Sequence, residues 1–298
     1  MARIKRFEDF ACPSGQTVPK PTIMQVSGKS ELAMLALEQL LISLAEPSPV
    51  QAQIITNALQ GMGASQIETH GSGRELIEQA RLRRPSLVIS AYHLPDITGA
   101  ELVQELRDSE DLYDIPFILI SSETNPERLE TIRQAGSLAI LPKPFTHEEF
   151  EQAMQSVMSF LNCDSLGAEV DADMALMNVL IVDDSSTSRH HIRQVLEKLG
   201  FEHFCEAASS EAAIPYLEQE PFKLIVTDYH MPGMDGLDFA RHVRSSGLQP
   251  DTPVLMVTSD SDNLSKDELE DAGIAACCQK PFDMDKMREL IRTLLNEY

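Results

Sequence analysis

The sequence predicts an α/β protein built from two copies of one domain, each a parallel sheet between layers of helices. Short apolar runs alternate with amphipathic helical stretches along most of the 298 residues, a pattern typical of parallel sheets covered on both faces. Two motifs recur at one separation: Tyr-His-x-Pro begins at Tyr92 and Tyr229, and Lys-Pro-Phe begins at Lys143 and Lys280. The separation is 137 residues in both cases (229 minus 92 and 280 minus 143), which a duplicated domain aligned almost without gaps explains.

The second copy shows the order of elements most clearly. Four apolar runs are interpreted as strands, and they cover residues 179–182, 222–227, 254–257 and 274–279. Helical periodicity occurs in residues 186–199, in a helix beginning at Leu237, and in a last helix marked by Met287, Leu290, Ile291 and Leu294.

Length and composition divide the chain into four parts. A chain of 298 residues exceeds the usual size of one domain. Residues 1–30, rich in Pro and Gly, are predicted to form an N-terminal arm, and residues 31–161 to form the first domain. The polar, acidic stretch at residues 162–177 is predicted to be a linker, and residues 178–298 the second domain.

Charge and composition argue against several classes of function. The chain has 24 Lys and Arg against 47 Asp and Glu, a net charge of -23, so it should repel nucleic acid and anionic membranes. The five cysteines form no C-x-x-C pair and no zinc-binding spacing, which indicates free thiols in a reducing compartment. The sequence predicts neither a signal peptide nor a membrane-spanning stretch. We therefore expect a cytoplasmic protein that binds other proteins or metal ions.

Acidic and basic side chains follow the predicted strands of the second copy. Asp183 and Asp184 follow the first strand, Asp228 follows another, and Thr258 and Lys280 follow the last two. Functional groups gather at the carboxyl edge of open parallel sheets. A divalent cation such as Mg²⁺ would relieve the repulsion among three carboxylates. A carboxylate held near a metal-bound phosphoryl donor can then act as the nucleophile and form an acyl phosphate.

These motifs together resemble those of a known family. Residues 178–297, with Asp183-Asp184, the Thr-Asp-Tyr-His-Met-Pro run around Asp228, and Lys280-Pro-Phe, are similar to the receiver domain of bacterial response regulators, particularly the single-domain chemotaxis type. The resemblance implies two tandem flavodoxin-like (βα)5 domains with strand order 2-1-3-4-5.

The resemblance also assigns roles to the acidic residues of the second copy. It implies that Asp228 is phosphorylated by a histidine kinase or a phosphotransfer protein. It implies that Asp184, Asp228 and the backbone carbonyl of His230 bind Mg²⁺, with Asp183 assisting through water.

Three further positions complete the implied site. Thr258 and Lys280 would contact the phosphoryl group, and Thr258 would move toward it on activation. The family often has an aromatic residue three positions before the lysine, where this sequence has Cys277. The resemblance leaves open whether the signal spreads less strongly here or through another side chain.

The first copy lacks the acidic residues of the second. In the 137-residue register, Glu46 and Pro47 replace the aspartate pair, Ala91 replaces the acceptor and Ser121 replaces the threonine, while Lys143 remains. Alanine cannot carry a phosphoryl group and proline offers no carboxylate, so residues 39–161 resemble a receiver without its chemistry.

Two hypotheses concern the charged residues of the first copy. We expect Glu46 to pair with Lys143, because an unpaired charge at this edge would be unfavourable. Asp96, in the loop beyond the strand that ends near Ala91, is a poor substitute for the acceptor.

The sequence as a whole predicts a response regulator without an effector domain that signals through contacts with a downstream protein. A phosphoryl sink or relay intermediate is the main alternative. An aspartyl-phosphate phosphatase and an unphosphorylated scaffold are further alternatives, although the contiguous Asp183-Asp184 pair does not match the Asp-x-Asp motif of such phosphatases. We expect self-phosphorylation and autodephosphorylation rather than enzymatic turnover. The first domain could support dimerisation, restrain the second domain or hold a partner, and the sequence does not choose among these roles.

Overall fold

The first half of the chain alternates parallel strands with helices. The computed structural model describes residues 37–161, 174–258 and 265–297, so the predicted arm at residues 1–30 and most of the predicted linker lie outside the described residues. The elements of the first half are β1 (Leu41–Ala45), α1 (Pro49–Gly61), β2 (Gln66–His70), α2 (Gly73–Leu82), β3 (Leu87–Ala91), α3 (Gly99–Arg107), β4 (Phe117–Ser121), α4 (Pro126–Gln134), β5 (Ala139–Pro142) and α5 (His147–Leu161).

The second half repeats this order after a short 3₁₀ helix at Met174–Leu176. Its elements are β6 (Asn178–Val182), α6 (Ser186–Lys198), β7 (His203–Ala207), α7 (Ser210–Gln219), β8 (Leu224–Asp228), α8 (Gly236–Ser246), β9 (Val254–Thr258), α9 (Lys266–Asp271), β10 (Ala276–Gln279) and α10 (Met284–Glu297).

The two halves form separate five-stranded sheets of the same topology. The strand order is β2-β1-β3-β4-β5 in the first sheet and β7-β6-β8-β9-β10 in the second, and all pairs are parallel. Both correspond to 2-1-3-4-5 within their own half. The predicted fold class and strand order are therefore confirmed.

The central strands are apolar because both of their faces are covered. Every residue of β3, β4, β8 and β9 is buried. The edge strand β7 is only partly buried along most of its length, and it lacks the continuous apolar run by which the other strands of this half were recognised. Within the described residues, no helix has the length and apolar character needed to cross a bilayer.

The two halves pack against each other with opposite edges of their sheets. The end of α4 and the turn that leads into β5 belong to the edge of the first sheet where its strands begin. This edge faces α6 and the carboxyl edge of the second sheet. The ring of His191 on α6 stacks with Phe160 of the first half at 6.4 Å and with Phe282 of the second half at 5.4 Å between ring centroids. Buried apolar side chains from both halves form one contiguous cluster across this joint.

Candidate functional site

The second sheet brings four predicted site residues to its carboxyl edge. Asp228 and Thr258 are the last residues of β8 and β9, while Asp183 and Lys280 directly follow β6 and β10. All four are buried, with Asp183 fully buried and Asp228 exposed by only 1%. The parallel topology explains the convergence, because the strands that carry these residues are neighbours in the order β10-β9-β8-β6.

Lys280 is the centre of this group. Its Nζ lies 2.8 Å from Asp228 Oδ1 and 3.0 Å from Asp183 Oδ2. It also lies 2.7 Å from Ser188 Oγ and 3.0 Å from Oε1 of Gln134, which belongs to the first half of the chain. One ammonium with three protons therefore has four acceptors within hydrogen-bonding distance.

Asp183 is engaged by donors on both of its oxygens. Its Oδ1 accepts from the Ser185 amide at 2.9 Å, and its Oδ2 accepts from Ser188 Oγ at 2.5 Å as well as from Lys280. Ser185 is also the N-cap of α6, so the start of this helix fixes the carboxylate. Asp183 can therefore reach a cation only through water or after these hydrogen bonds rearrange.

Burial and neighbouring charges shift the pKa values of the central pair. Burial raises the pKa of Asp228 to about 6, opposed by Lys280 and reinforced by the negative charge of Asp183. Burial alone would lower the pKa of Lys280, but Asp183 and Asp228 raise it above its ordinary value. Lys280 therefore stays charged. The pKa of Asp228 lies close to neutral pH, and a further cation at the site would favour its charged form.

The predicted metal ligands fit Mg²⁺ in part. Asp228 Oδ2 is buried and has no hydrogen-bond partner among the described residues, and the Asp184 side chain is exposed directly beside the site. Two carboxylate oxygens of this kind are suitable ligands for a hard cation. In the described part of the chain, no group of three or more His, Cys, Asp or Glu side chains is arranged to hold a metal ion. A ligand set completed by the His230 carbonyl and water stays a prediction.

The turn after β8 brings another backbone segment very close to Asp228. The amide of Gly236, the first residue of α8, donates to the Tyr229 carbonyl at 2.9 Å. A Cβ atom at Gly236 would lie only 2.1 Å from the Asp228 carbonyl oxygen. Glycine is therefore required here by the close approach of the chain to the acceptor.

Two residues of the site were not identified from the sequence. Ser188 lies on the first turn of α6 and bonds to both Asp183 and Lys280; its position five residues after Asp183 was the available signal. Gln134 is 146 residues from Lys280 along the chain, and no local pattern points to it. Cys277 lies half-buried in β10, as its predicted place in a strand requires.

At the corresponding edge of the first sheet, Lys143 forms an ion pair with Glu46. Lys143 Nζ lies 2.7 Å from Glu46 Oε2, which confirms the predicted pairing. Ala91 ends β3 where Asp228 ends β8, and the Ser121 hydroxyl accepts from the Glu123 amide at 2.8 Å. In this pair one carboxylate and one ammonium neutralise each other, whereas Lys280 in the second receiver has two carboxylates as neighbours.

The loop after the first strand makes the same hydrogen bond in both receivers. Glu46 Oε1 accepts from the Ser48 amide at 3.0 Å, just as Asp183 accepts from Ser185, again 137 residues later. Asp96 accepts from the Gly73 and Arg74 amides at the start of α2. Its carboxylate therefore caps a helix rather than lying where Ala91 ends its strand.

The comparison with protein families agrees with the duplicated architecture. Residues 42–155 and residues 179–292 each match the response regulator receiver domain. The chain belongs to the response regulator receiver family. Its tandem receivers are the ones predicted from the repeated motifs, and they place the chain among the proteins of two-component signalling.

Known chemotaxis proteins are similar to one receiver's length of this chain. Chemotaxis protein CheY of Pseudomonas aeruginosa is 39% identical over 118 residues, which are 40% of this chain and 95% of that protein. Chemotaxis protein CheY-3 of Vibrio cholerae is 36% identical over 113 residues, 38% of this chain and 87% of that protein. The crystal structure of Vibrio cholerae CheY4 is 28% identical and covers 40% of this chain and 98% of its own, with a TM-score of 0.37.

Proposed function

We propose that this chain is a response regulator in which the second receiver is phosphorylated on Asp228 and the first is not phosphorylated. The observation that carries the proposal is the buried group of Asp183, Asp228 and Lys280, with an unpartnered Asp228 oxygen in the described structure. The first receiver has alanine at the acceptor position and a closed ion pair instead.

The chemistry requires one nucleophilic oxygen and a means of neutralising charge. An oxygen of Asp228 attacks the phosphorus of a phosphohistidine or of acetyl phosphate, an O–P bond forms, and the bond from phosphorus to the leaving group breaks. With acetyl phosphate the leaving group departs as acetate and needs no proton. Lys280 then shifts from Asp228 Oδ1 to a phosphoryl oxygen, and the Thr258 hydroxyl binds another.

Asp184, Asp228 and the His230 carbonyl are the groups that would hold Mg²⁺, with Asp183 assisting through water. Bound there, Mg²⁺ would neutralise negative charge on the phosphoryl oxygens. The assignment is supported by the pKa of Asp228, which burial, reinforced by the negative charge of Asp183, raises to about 6, because a bound cation would offset the cost of keeping this carboxylate charged. Receiver domains generally use this ion, and the orphaned Asp228 Oδ2 gives it a buried ligand here.

The partners follow from the same chemistry. A histidine kinase or phosphotransfer protein would supply the phosphoryl group, and a downstream protein would read the phosphorylated state. We expect no steady turnover of a small phosphate ester, since the acyl phosphate is itself the signal. A phosphoryl sink differs only in what happens after transfer, through faster loss of the group.

Intact mass after incubation with acetyl phosphate and Mg²⁺ tests the proposal. Wild type should gain one phosphoryl group, and Asp228→Asn and Mg²⁺-free wild type should gain none. Asp251→Asn is a suitable control because Asp251 is exposed just before β9, at the opposite end of the strands from Asp228; it should behave as wild type does.

Each other result has a distinct meaning. Two phosphoryl groups on wild type would contradict a silent first receiver. An adduct that persists in Asp228→Asn would place the acceptor elsewhere. Sustained release of product from a generic phosphatase substrate would favour the enzyme alternative.

A further inference from the structure

The first receiver packs against α6 and α10, which lie beside the proposed phosphorylation site of the second. Gln104 Nε2 donates to Thr187 Oγ1 on α6 at 3.3 Å, and the Tyr113 ring meets the His190 ring edge-on at 4.7 Å. On the other side of the joint, Ser159 Oγ donates to Asp285 Oδ2 at 3.3 Å. These contacts hold the beginning edge of the first sheet against the site-bearing edge of the second.

The turn after α4 packs closely against α6. Gly136 has a φ of +72°, and a Cβ atom there would lie 2.4 Å from Cγ of His191. His191 is itself buried, and its ring stacks on Phe282, two residues after Lys280. This close packing delivers the last residue of α4 to the second site.

Gln134 is that residue, and its amide is oriented toward Lys280. Its Nε2 donates to Glu130 Oε1, one helical turn earlier, at 2.7 Å. The amide oxygen is thereby turned toward Lys280 Nζ, from which it accepts at 3.0 Å. A side chain of the first receiver thus binds the ammonium that would contact a phosphoryl group in the second.

The site beneath this contact is closed. Asp228 is 1% exposed and Lys280 is 2% exposed, whereas the nucleophile must meet a phosphoryl group carried by a donor. A donor therefore needs the site to open, and Lys280 needs to leave Gln134 when it turns toward a phosphoryl oxygen.

We propose that Gln134 is a positioning residue of the phosphorylation site, through which the first receiver holds Lys280 against Asp228 until the two receivers separate. The inference rests on the proposed phosphorylation of Asp228. If separation favours phosphorylation, phosphorylation must favour separation to the same degree, because linkage between two equilibria is reciprocal. The first receiver then restrains the second, one of the three roles that the sequence leaves open.

Substitutions of Gln134 in the full chain test this with opposite signs. Gln134→Ala removes the acceptor and should speed phosphorylation by acetyl phosphate about tenfold, the factor that corresponds to one charge-assisted hydrogen bond. Gln134→Glu offers Lys280 a carboxylate and should slow the reaction. Thr131→Ala, on an exposed position of the same helix, should match wild type. A merely structural role would shift both Gln134 variants in the same direction.

A fluorescence probe follows the joint independently of the reaction rate. The chain has no tryptophan, so Tyr113→Trp introduces a single reporter beside His190. Its emission should shift to longer wavelength when acetyl phosphate and Mg²⁺ are added, and Asp228→Asn in the same background should abolish the shift.

The outcomes separate this inference from the proposed function. If Gln134→Ala is phosphorylated at the wild-type rate or more slowly, the proposed role of Gln134 is wrong, while Asp228 remains the acceptor. An unchanged tryptophan emission in the phosphorylated Tyr113→Trp variant would also overturn that role. If no variant gains a phosphoryl group, the proposed function fails. The proposed role of Gln134 fails with it, because removing the Gln134 side chain did not make Asp228 reactive.

Discussion

At the scale of single residues, the two receivers differ in the charges that surround the lysine at the carboxyl edge of the sheet. The second receiver places one ammonium, Lys280, between two buried carboxylates, Asp183 and Asp228. The first pairs Lys143 with Glu46 alone. Two carboxylates around one ammonium favour a further cation, whereas a balanced pair does not, so we expect only the second site to bind Mg²⁺.

The balanced pair in the first receiver makes a stability prediction. Lys143→Met leaves the buried Glu46 carboxylate without its counter-charge, and we expect the free energy of unfolding to fall by about 1–3 kcal/mol, less than for a fully buried pair because the Lys143 side chain is 22% exposed. Adding Glu46→Gln to this variant should recover most of the loss. Urea denaturation at pH 7.5 measures both effects.

A surface pair provides the control for that experiment. Lys266 and Glu270 form an ion pair with side chains that are 87% and 61% exposed. Lys266→Met should change the free energy of unfolding very little. A loss at Lys143 no larger than the loss at Lys266 would contradict the structural role of the Glu46 pair.

At the scale of elements, the turn between β8 and α8 sets the position of the acceptor. Gly236→Ala would place a methyl group 2.1 Å from the Asp228 carbonyl oxygen, and the strand end must then move. We expect the phosphorylation rate to fall more than tenfold, as measured by intact mass over time, together with a lower melting temperature.

Gly247, at the other end of the same helix, gives the matched comparison. It has a φ of +68° and no neighbouring atom within 4 Å of an added Cβ. Gly247→Ala should reduce the free energy of unfolding by about 1 kcal/mol through backbone strain and leave the phosphorylation rate unchanged. Equal phosphorylation rates in the two alanine variants would mean that the turn does not position Asp228.

Elements also differ in how well the sequence predicts them. The apolar runs of β6, β8 and β9 predicted these strands because both faces of a central strand are buried. The edge strand β7 (His203–Ala207) was not recognised, since its residues are only partly buried up to Ala207. The predicted run at residues 222–227 also began two residues before β8, because buried Phe222 belongs to the core without belonging to the strand.

The same distinction applies to the candidate site. Asp183, Asp228, Thr258 and Lys280 could be predicted to meet, because each ends or directly follows a strand and parallel strands end at one edge. Gln134 could not, because its contact depends on how two domains dock, and docking leaves no periodic or local pattern in the sequence. The Glu46–Lys143 pair could be predicted only through the 137-residue register.

At the scale of the whole molecule, the joint between the receivers contains a buried histidine. Burial, together with Arg107, Lys280 and His190, lowers the pKa of His191 to about 3. The unfolded chain therefore binds this proton more readily than the folded protein does. Stability due to neutral His191 is fully present above pH 6.5 and is lost progressively as the pH falls toward 3.

Acid titration of the free energy of unfolding tests this assignment. His191 should account for a loss of about 2 kcal/mol between pH 7.5 and pH 5. His191→Phe keeps an aromatic ring against Phe282 but cannot titrate, so its curve should be flatter by that amount. Parallel curves for the two proteins would show that His191 is not the group responsible.

The contact between Gln134 and Lys280 also bears on how such a chain can be changed by recombination. Each receiver has its own sheet and an apolar cluster of its own beside the shared one, so we expect an exchange of residues 178–298 for another receiver to preserve both sheets. The exchanged partner, however, would meet Gln134 and Gly136 with side chains that had not been selected beside them. We therefore expect the two receivers of this chain to work best with each other, and an exchanged receiver to need matching residues where it meets Gln134 and Gly136.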